Sequence, residues 1–411
     1  MPGIGGVRRL QFCFDLLLAF WCTSALLADV QPNWSDQKRQ AIASVQARDL
    51  SKAENLLNAA LAALPSAETS EAVLLWNQLG LIYEVDNLRL TEAKQAFRHA
   101  LDINEHKEKR SDIEEAIGLN NLGTAFQLAD DLKTAEKLFR QADSVLTQCD
   151  LLQTSTTGPV LSNLALVLQE QGRFAESEIT YEHAVAAFHR SNTEGTLEFA
   201  RCVTNFGRLK YETGHFQEAL TQQERALSLE VALPSNALNA GDRAYVLCNL
   251  GMARGQLGML SAARESLLEA IDLETSNQAA PDPRLPETLN DLATIENNMD
   301  KLSLAKEHGQ QALAFADRLR SKDDPIRAAI WTNLGTMATK EHDYKYARQL
   351  YDEAAGLWLK ALGPNRPEYG ATLFNIANLE AREGHRKQAK TIFLRCLQID
   401  LSWFGPRHPQ V

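Results

Sequence analysis

One small cluster, usually Asn followed by an apolar residue and then Gly or Ala, recurs along this chain at nearly fixed spacing. It reads Asn121-Leu122-Gly123, Asn163-Leu164-Ala165, Asn205-Phe206-Gly207, Asn249-Leu250-Gly251, Asp291-Leu292-Ala293, Asn333-Leu334-Gly335 and Asn375-Ile376-Ala377. Successive first residues lie 42, 42, 44, 42, 42 and 42 positions apart, and Gln78-Leu79-Gly80 extends the series backwards by 43. A period of this size marks a solenoid, in which each unit buries its apolar face only against its neighbours. Such an array offers long surfaces and points to binding rather than catalysis.

Each unit reads as two helices. Over residues 113–149, Ile117, Leu119, Leu122, Phe126 and Leu128 mark the apolar side of a first helix. Leu132, Ala135, Leu138, Phe139, Ala142 and Leu146 do the same for a second, at spacings of three and four. The turn between them is Ala129-Asp130-Asp131 here and holds Gly172, Gly214, Gly258 or Gly384 elsewhere. Glycine suits the residue just past a helix, where a left-handed conformation strains a Cβ. Twelve positions after the Gly/Ala stands a small residue (Ala135, Ser177, Ala219, Ala263, Ala305, Ala347, Ala389), and seven further on another (Ala142, Ala184, Ala226, Ala270, Ala312, Ala354, Cys396). Small side chains there let helix axes approach, while a bulky residue between them (Phe139, Tyr181, Leu267, Tyr351, Phe393) fills the groove. Gln223 and Gly309 occupy the bulky column, so the fifth and seventh repeats are expected to pack less well, and Gly309→Ala to stabilise if no side chain needs the space.

This column pattern resembles the tetratricopeptide repeat (TPR). The longer period resembles the kinesin-light-chain type of array, as do the linkers Leu362-Gly363-Pro364-Asn365-Arg366-Pro367 and Phe404-Gly405-Pro406-Arg407-His408-Pro409. The resemblance covers about residues 35–402 and implies an all-α, right-handed superhelical solenoid of antiparallel helix pairs. The expected organisation is a signal peptide over 1–28, a degenerate first repeat over 29–64 with Ala53 and Ala60 in the small columns, an array of about eight repeats over 71–402, and a linker stub over 403–411.

The N-terminal segment has a positive n-region at Arg8 and Arg9, an uncharged apolar run from Leu16 to Ala28, and a small-residue cleavage site at Leu26-Leu27-Ala28. That is the pattern of a secretory signal, and it predicts a secreted or periplasmic protein. The alternative is a membrane anchor through residues 10–28, but the run is short of the roughly 20 residues that span a bilayer. The whole chain carries a net charge of −11, which argues against a nucleic-acid partner, since a phosphate backbone needs a cationic stripe. It equally disfavours anionic membrane surfaces once the signal is removed. Cys149, Cys202, Cys248 and Cys396 show no CxxC or Cys/His metal spacing. An exported context permits disulfides; this architecture does not need one.

No motif for nucleophilic, metal or phosphate chemistry is present, and the carboxylates read as charges on solvated helix faces. No catalytic residue, metal ligand or cofactor is therefore expected. The TPR resemblance places first helices along a concave groove and implies that Asn121, Asn163, Asn205, Asn249, Asn333 and Asn375 bond the backbone of an extended peptide. Helices about 10 Å apart match roughly three extended residues, and an amide both donates and accepts, so it can pair with backbone of any sequence. The competing reading has each Asn bonding its neighbour's helix. Arg201, Asn205 and Arg208 share one helix stripe, where two guanidiniums could clamp a carboxylate or instead pair with Glu198 or Glu212. The expected function is an exported scaffold for a protein or peptide partner; a regulatory segment of a larger signalling protein and, last, an enzyme are the rivals.

Overall fold

The computed structural model describes residues 33–46, 49–67, 69–85, 89–233, 240–276 and 282–405. The signal segment 1–28 and the Pro406–Pro409 part of the second linker lie outside them. Among the described residues there are eighteen helices and no strand, in nine consecutive pairs. They are α1 (Asn33–Gln46) with α2 (Leu50–Ala62), α3 (Ser70–Val85) with α4 (Leu90–His106), α5 (Asp112–Leu128) with α6 (Leu132–Gln148), and α7 (Thr157–Glu170) with α8 (Phe174–Arg190). There follow α9 (Leu197–Glu212) with α10 (Phe216–Ala232), α11 (Ala240–Gln256) with α12 (Leu260–Thr275), and α13 (Leu285–Asn298) with α14 (Leu302–Leu319). The last are α15 (Ile326–Lys340) with α16 (Tyr344–Leu362) and α17 (Pro367–Arg382) with α18 (Arg386–Phe404). The architecture is an all-α solenoid. The described residues fall into two compact units, one holding residues up to 205 with 229–233, the other 206–228 with 240–405.

The turn inside each pair follows from backbone geometry. Gly172, Gly214, Gly258 and Gly384 have φ of 77°, 79°, 75° and 88°, and where glycine is missing Asp130, Asp300 and His342 adopt 63°, 56° and 65°. The next residue then donates to the carbonyl five positions back, as Arg173 N does to Leu168 O and Asp131 N to Phe126 O, so one orphan carbonyl is satisfied. Asp131 and Asp343 go on to cap the second helix, accepting from the Thr134 and Tyr346 amides.

Packing within a pair rests on a knob and a flat. A Cβ built on Gly123 would come within 2.7 Å of the Phe139 ring, and one on Gly335 within 2.6 Å of Tyr351. Phe97 on Gly80 and Leu267 on Gly251 repeat the contact. Gln223 is not a gap: it is buried, and its amide seats on Gly207 in the place of the ring. Gly309 is filled from the next repeat, and the expected stabilisation by Gly309→Ala is corrected accordingly. An alanine Cβ there would lie 2.8 Å from Leu334 Cδ2. The gain of about 1 kcal/mol in helix propensity is set against an overpacking cost of about 1–3 kcal/mol.

The reading of all carboxylates as solvated is also corrected. Glu287, Glu296 and Glu368 are buried, because arginines in the same joints meet them. Arg264 Nε donates to Glu296 Oε1 at 2.9 Å, with His308 Nδ1 2.6 Å from Oε2. Arg320 Nη2 donates to Glu287 Oε1 at 3.0 Å and to the Pro283 carbonyl at 2.7 Å. Glu84 differs: neither oxygen finds a hydrogen-bond partner among the described residues, and burial pushes its carboxyl well above the usual range. Cys202 and Cys248, both buried, form no disulfide.

Candidate functional site

The asparagine column sits where first helices of successive repeats run side by side, and the residue just before it proves equally informative. In the first unit, Asn121 Nδ2 donates to Asn77 Oδ1 at 3.0 Å and Asn163 Nδ2 to Asn120 Oδ1 at 2.9 Å. In the second, Asn333 Nδ2 donates to Asn290 Oδ1 at 2.8 Å and to Thr294 Oγ1 at 3.0 Å. Asn77, Asn120 and Asn290 each stand one position before a column residue, so in these three joints the column amide reaches the preceding repeat's neighbour. Two further joints use other polar atoms from that position: Cys248 Sγ lies 3.2 Å from Thr288 Oγ1, and Thr332 Oγ1 lies 2.9 Å from Thr372 Oγ1. The polar position before the column was visible in the sequence as Asn77, Asn120, Ser162, Thr204, Cys248, Asn290 and Thr332. Its signal is weaker than that of Asn-Leu-Gly because the residue type varies among Asn, Ser, Thr and Cys.

The column residues divide by access. Asn121, Asn205, Asn249 and Asn333 are buried; Asn163 and Asn375 are half-buried. Asn249 Nδ2 turns to its own helix, donating to the Tyr245 carbonyl at 3.0 Å. A primary amide has two donor hydrogens and an acceptor oxygen, so one inter-repeat bond leaves the half-buried amides able to meet a further group.

The proposed arginine clamp resolves differently at its two ends. Arg208 is buried, with Nε 3.0 Å from Glu212 Oε1 and Nη1 donating to the Tyr245 hydroxyl at 3.2 Å. Arg208 thus pairs with Glu212. Arg201 is half-buried on the earlier part of α9, which belongs to the other unit.

One cluster has the composition of a metal site. Glu380, Glu383 and His385 each place a donor atom within 4.8 Å of the others. Arg348, however, lies 2.7 Å from Glu380 Oε1 and 3.3 Å from Glu383 Oε2. Its guanidinium takes the place a cation would need, and the Arg348–Glu380 pair repeats the Arg264–Glu296 pair two repeats earlier. Among the described residues no helix is long and apolar enough to cross a membrane.

Comparison with known proteins agrees with this geometry. One tetratricopeptide repeat model matches residues 156–230 and 326–402, and another matches 73–107 and 244–277. No curated protein matches the sequence. Among solved structures, the apo form of the quorum sensor NprR from B. thuringiensis is similar with a TM-score of 0.62 at 13% identity, over 90% of this chain and 99% of its own. A Rap protein complexed with Competence and Sporulation Factor gives 0.60 at 14%, over 91% and 99%. The apo form of RapI gives 0.58 at 15%, over 89% and 97%. Identities this low speak for the fold alone. The repeat matches together cover more than half of the residues, and the chain belongs to the tetratricopeptide repeat family.

Proposed function

We propose that this chain is a binding scaffold that takes an extended segment of a partner protein or peptide along its first-helix faces. The observation that carries the reading is the line of polar side chains on consecutive first helices, with Asn163 and Asn375 still open to solvent. Buried polar groups are retained where they are satisfied, and a regular row of amides suits a regular backbone. Two of the structurally similar proteins are recorded as complexes, a Rap protein with Competence and Sporulation Factor and NprR with its cognate peptide NprX. That supports a peptide or protein as the ligand class here.

The test uses the tightest nonapeptide selected on the full chain from a random display library. A nonapeptide spans about three repeats, so it meets one of the two: either Asn163→Ala alone or Asn375→Ala alone is expected to weaken it by about 1 kcal/mol, the net value of one hydrogen bond, while the melting temperature stays nearly constant. Asn333→Ala is expected to lower stability instead, because it removes the partner of Asn290. A selected peptide indifferent to both half-buried asparagines would defeat the reading.

We also propose that the protein is exported, on the charge pattern of residues 1–28. Protein recovered from outside the cytoplasm is expected to have lost about 28 residues by intact mass, the length the signal pattern implies. Full-length protein held in the cytoplasm would refute it.

A further inference from the structure

One buried side chain has lost both of the partners that its counterparts keep. Glu84 stands four positions after Gly80 in the last turn of α3, as Gln127, Gln169 and Thr339 do after Gly123, Ala165 and Gly335. Gln127 Nε2 donates to Glu170 Oε2 of the following first helix at 3.0 Å. The Tyr181 hydroxyl lies 3.5 Å from Gln169 Oε1, and the Tyr351 hydroxyl 3.3 Å from Thr339 Oγ1. Around Glu84 those two places hold Leu128 and Phe97, whose side chains have no polar atom. Glu84 is 0% exposed, and neither carboxyl oxygen has a hydrogen-bond partner among the described residues.

The surroundings favour the neutral form. Helices α3, α4 and α5 share an apolar core that includes Leu81, Ala93, Phe97, Leu122 and Ala125. A buried carboxylate without a partner costs far more than a buried neutral carboxyl. The last turn of a helix also disfavours negative charge, because its free carbonyls form the negative end of the dipole. Burial accordingly pushes the Glu84 carboxyl well above the usual range.

The charged groups that neighbouring elements bring to this end of α3 are engaged elsewhere. On α2, Lys52 is exposed, and Glu54 accepts from the Tyr83 hydroxyl at 3.1 Å and from Arg89 at 2.7 Å. Arg89, just before α4, also pairs with Glu92 at 3.4 Å. On α4, Lys94 lies 4.3 Å over the Phe126 ring, and His99 stacks on Trp76 two turns away from Glu84. Helix α5 has no charged residue after Glu115.

We propose that Glu84 makes the joint of α3, α4 and α5 a proton-operated latch, closed while its carboxyl is neutral and opened to water when the proton leaves for solvent. The ionised carboxylate needs water, and water reaches it only if Phe97 lifts from Gly80 or α5 withdraws. Asn77, two turns earlier on α3, accepts from Asn121 of α5 at 3.0 Å, so a parted joint also breaks that bond between first helices. The latch depends neither on a ligand for those helices nor on export.

The direction follows from linkage. The folded chain holds this proton more tightly than the unfolded chain does, so the joint is most stable below the ordinary carboxylate range and weakens as pH rises. Glu54 acts in the opposite sense. Its hydrogen bond with Arg89 holds its carboxyl below the usual range, and that contribution is lost on acidification. Comparing wild type with a Glu84 variant at each pH removes it.

The test measures amide exchange of the full chain, corrected for its intrinsic pH dependence, at about pH 5 and about pH 8. Protection of α3 and α4 in wild type, relative to Glu84→Gln, is expected to fall by about tenfold or more between the two. Glu84→Leu is expected to match Glu84→Gln, since both lack the proton. Amides of α13 and α14, in the other unit, are expected to show no such difference. Wild type at neutral pH is also expected to show the infrared carbonyl band of a protonated carboxyl that both variants lack. A wild-type-to-variant ratio equal at the two pH values would overturn the proposal. So would infrared spectra in which no such band is lost, because the carboxyl would then be ionised with the joint closed.

Discussion

Replacing Arg320 by Met should cost about 3–5 kcal/mol, the loss typical of leaving one member of a buried ion pair uncompensated. Arg320 and Glu287 have side chains only 3% and 4% exposed. The guanidinium closes the loop between helix pairs by holding both the Pro283 carbonyl and the Glu287 carboxylate. Its removal takes the guanidinium away from this buried carboxylate at the start of α13. Because a solenoid opens joint by joint, the loss should appear first as faster amide exchange in α13 and α14. The double change Arg320→Met with Glu287→Leu should recover most of the loss, since an apolar pair of similar volume removes the stranded charge. A single-mutant loss below about 1 kcal/mol would show that the pair does not hold this joint.

Phe139→Ala should destabilise its repeat by about 3–5 kcal/mol, the range for truncating a fully buried aromatic ring. The ring is wholly buried, lies flat on Gly123, and joins a cluster with Leu164, Val167 and Leu168 of the next repeat. Its loss should therefore loosen both the pair α5/α6 and its joint to α7. Gly123→Ala should be destabilising in its own right, by about 1–3 kcal/mol, because the new methyl meets the ring and the packed neighbours limit its retreat. The two changes together should cost less than their sum, since the alanine removes the ring that the methyl strikes. Urea titration of the three variants measures the coupling; strict additivity would mean that the two residues do not share one contact.

Much of this protein was legible because its information is periodic. The Gly or Ala that follows each Asn-Leu, the small residue twelve positions on, and the glycines of the turns each mark a place where backbones approach or φ turns positive. Those are local requirements, and a repeated sequence states them again and again. Even the departures were readable in kind: Asp130 and Asp300 take the left-handed turn in place of glycine, as short polar side chains can. The asparagine column was legible as a column, but its bonds were not. Whether Asn333 faces a ligand or Asn290 depends on how far apart two helices settle, and that distance is set by residues more than forty positions away. Gly309 teaches the same point from the other side, since its apparent gap is closed by Leu334 of the next repeat.

The sequence by itself determined the period, because the same pattern recurs along it, and also the helix pairs, the turn conformations and the identity of the knobs and flats, because each of these is set by residues within a single repeat. Tertiary structure alone decided which polar atoms meet. It buried Glu287 and Glu296 beside arginines and turned Arg208 to Glu212 and Tyr245. The physical reason is one of range. Backbone sterics and helix amphipathicity act within one unit and are written there, whereas a hydrogen bond or ion pair between units exists only once apolar packing has fixed the separation of their helices to a fraction of an ångström.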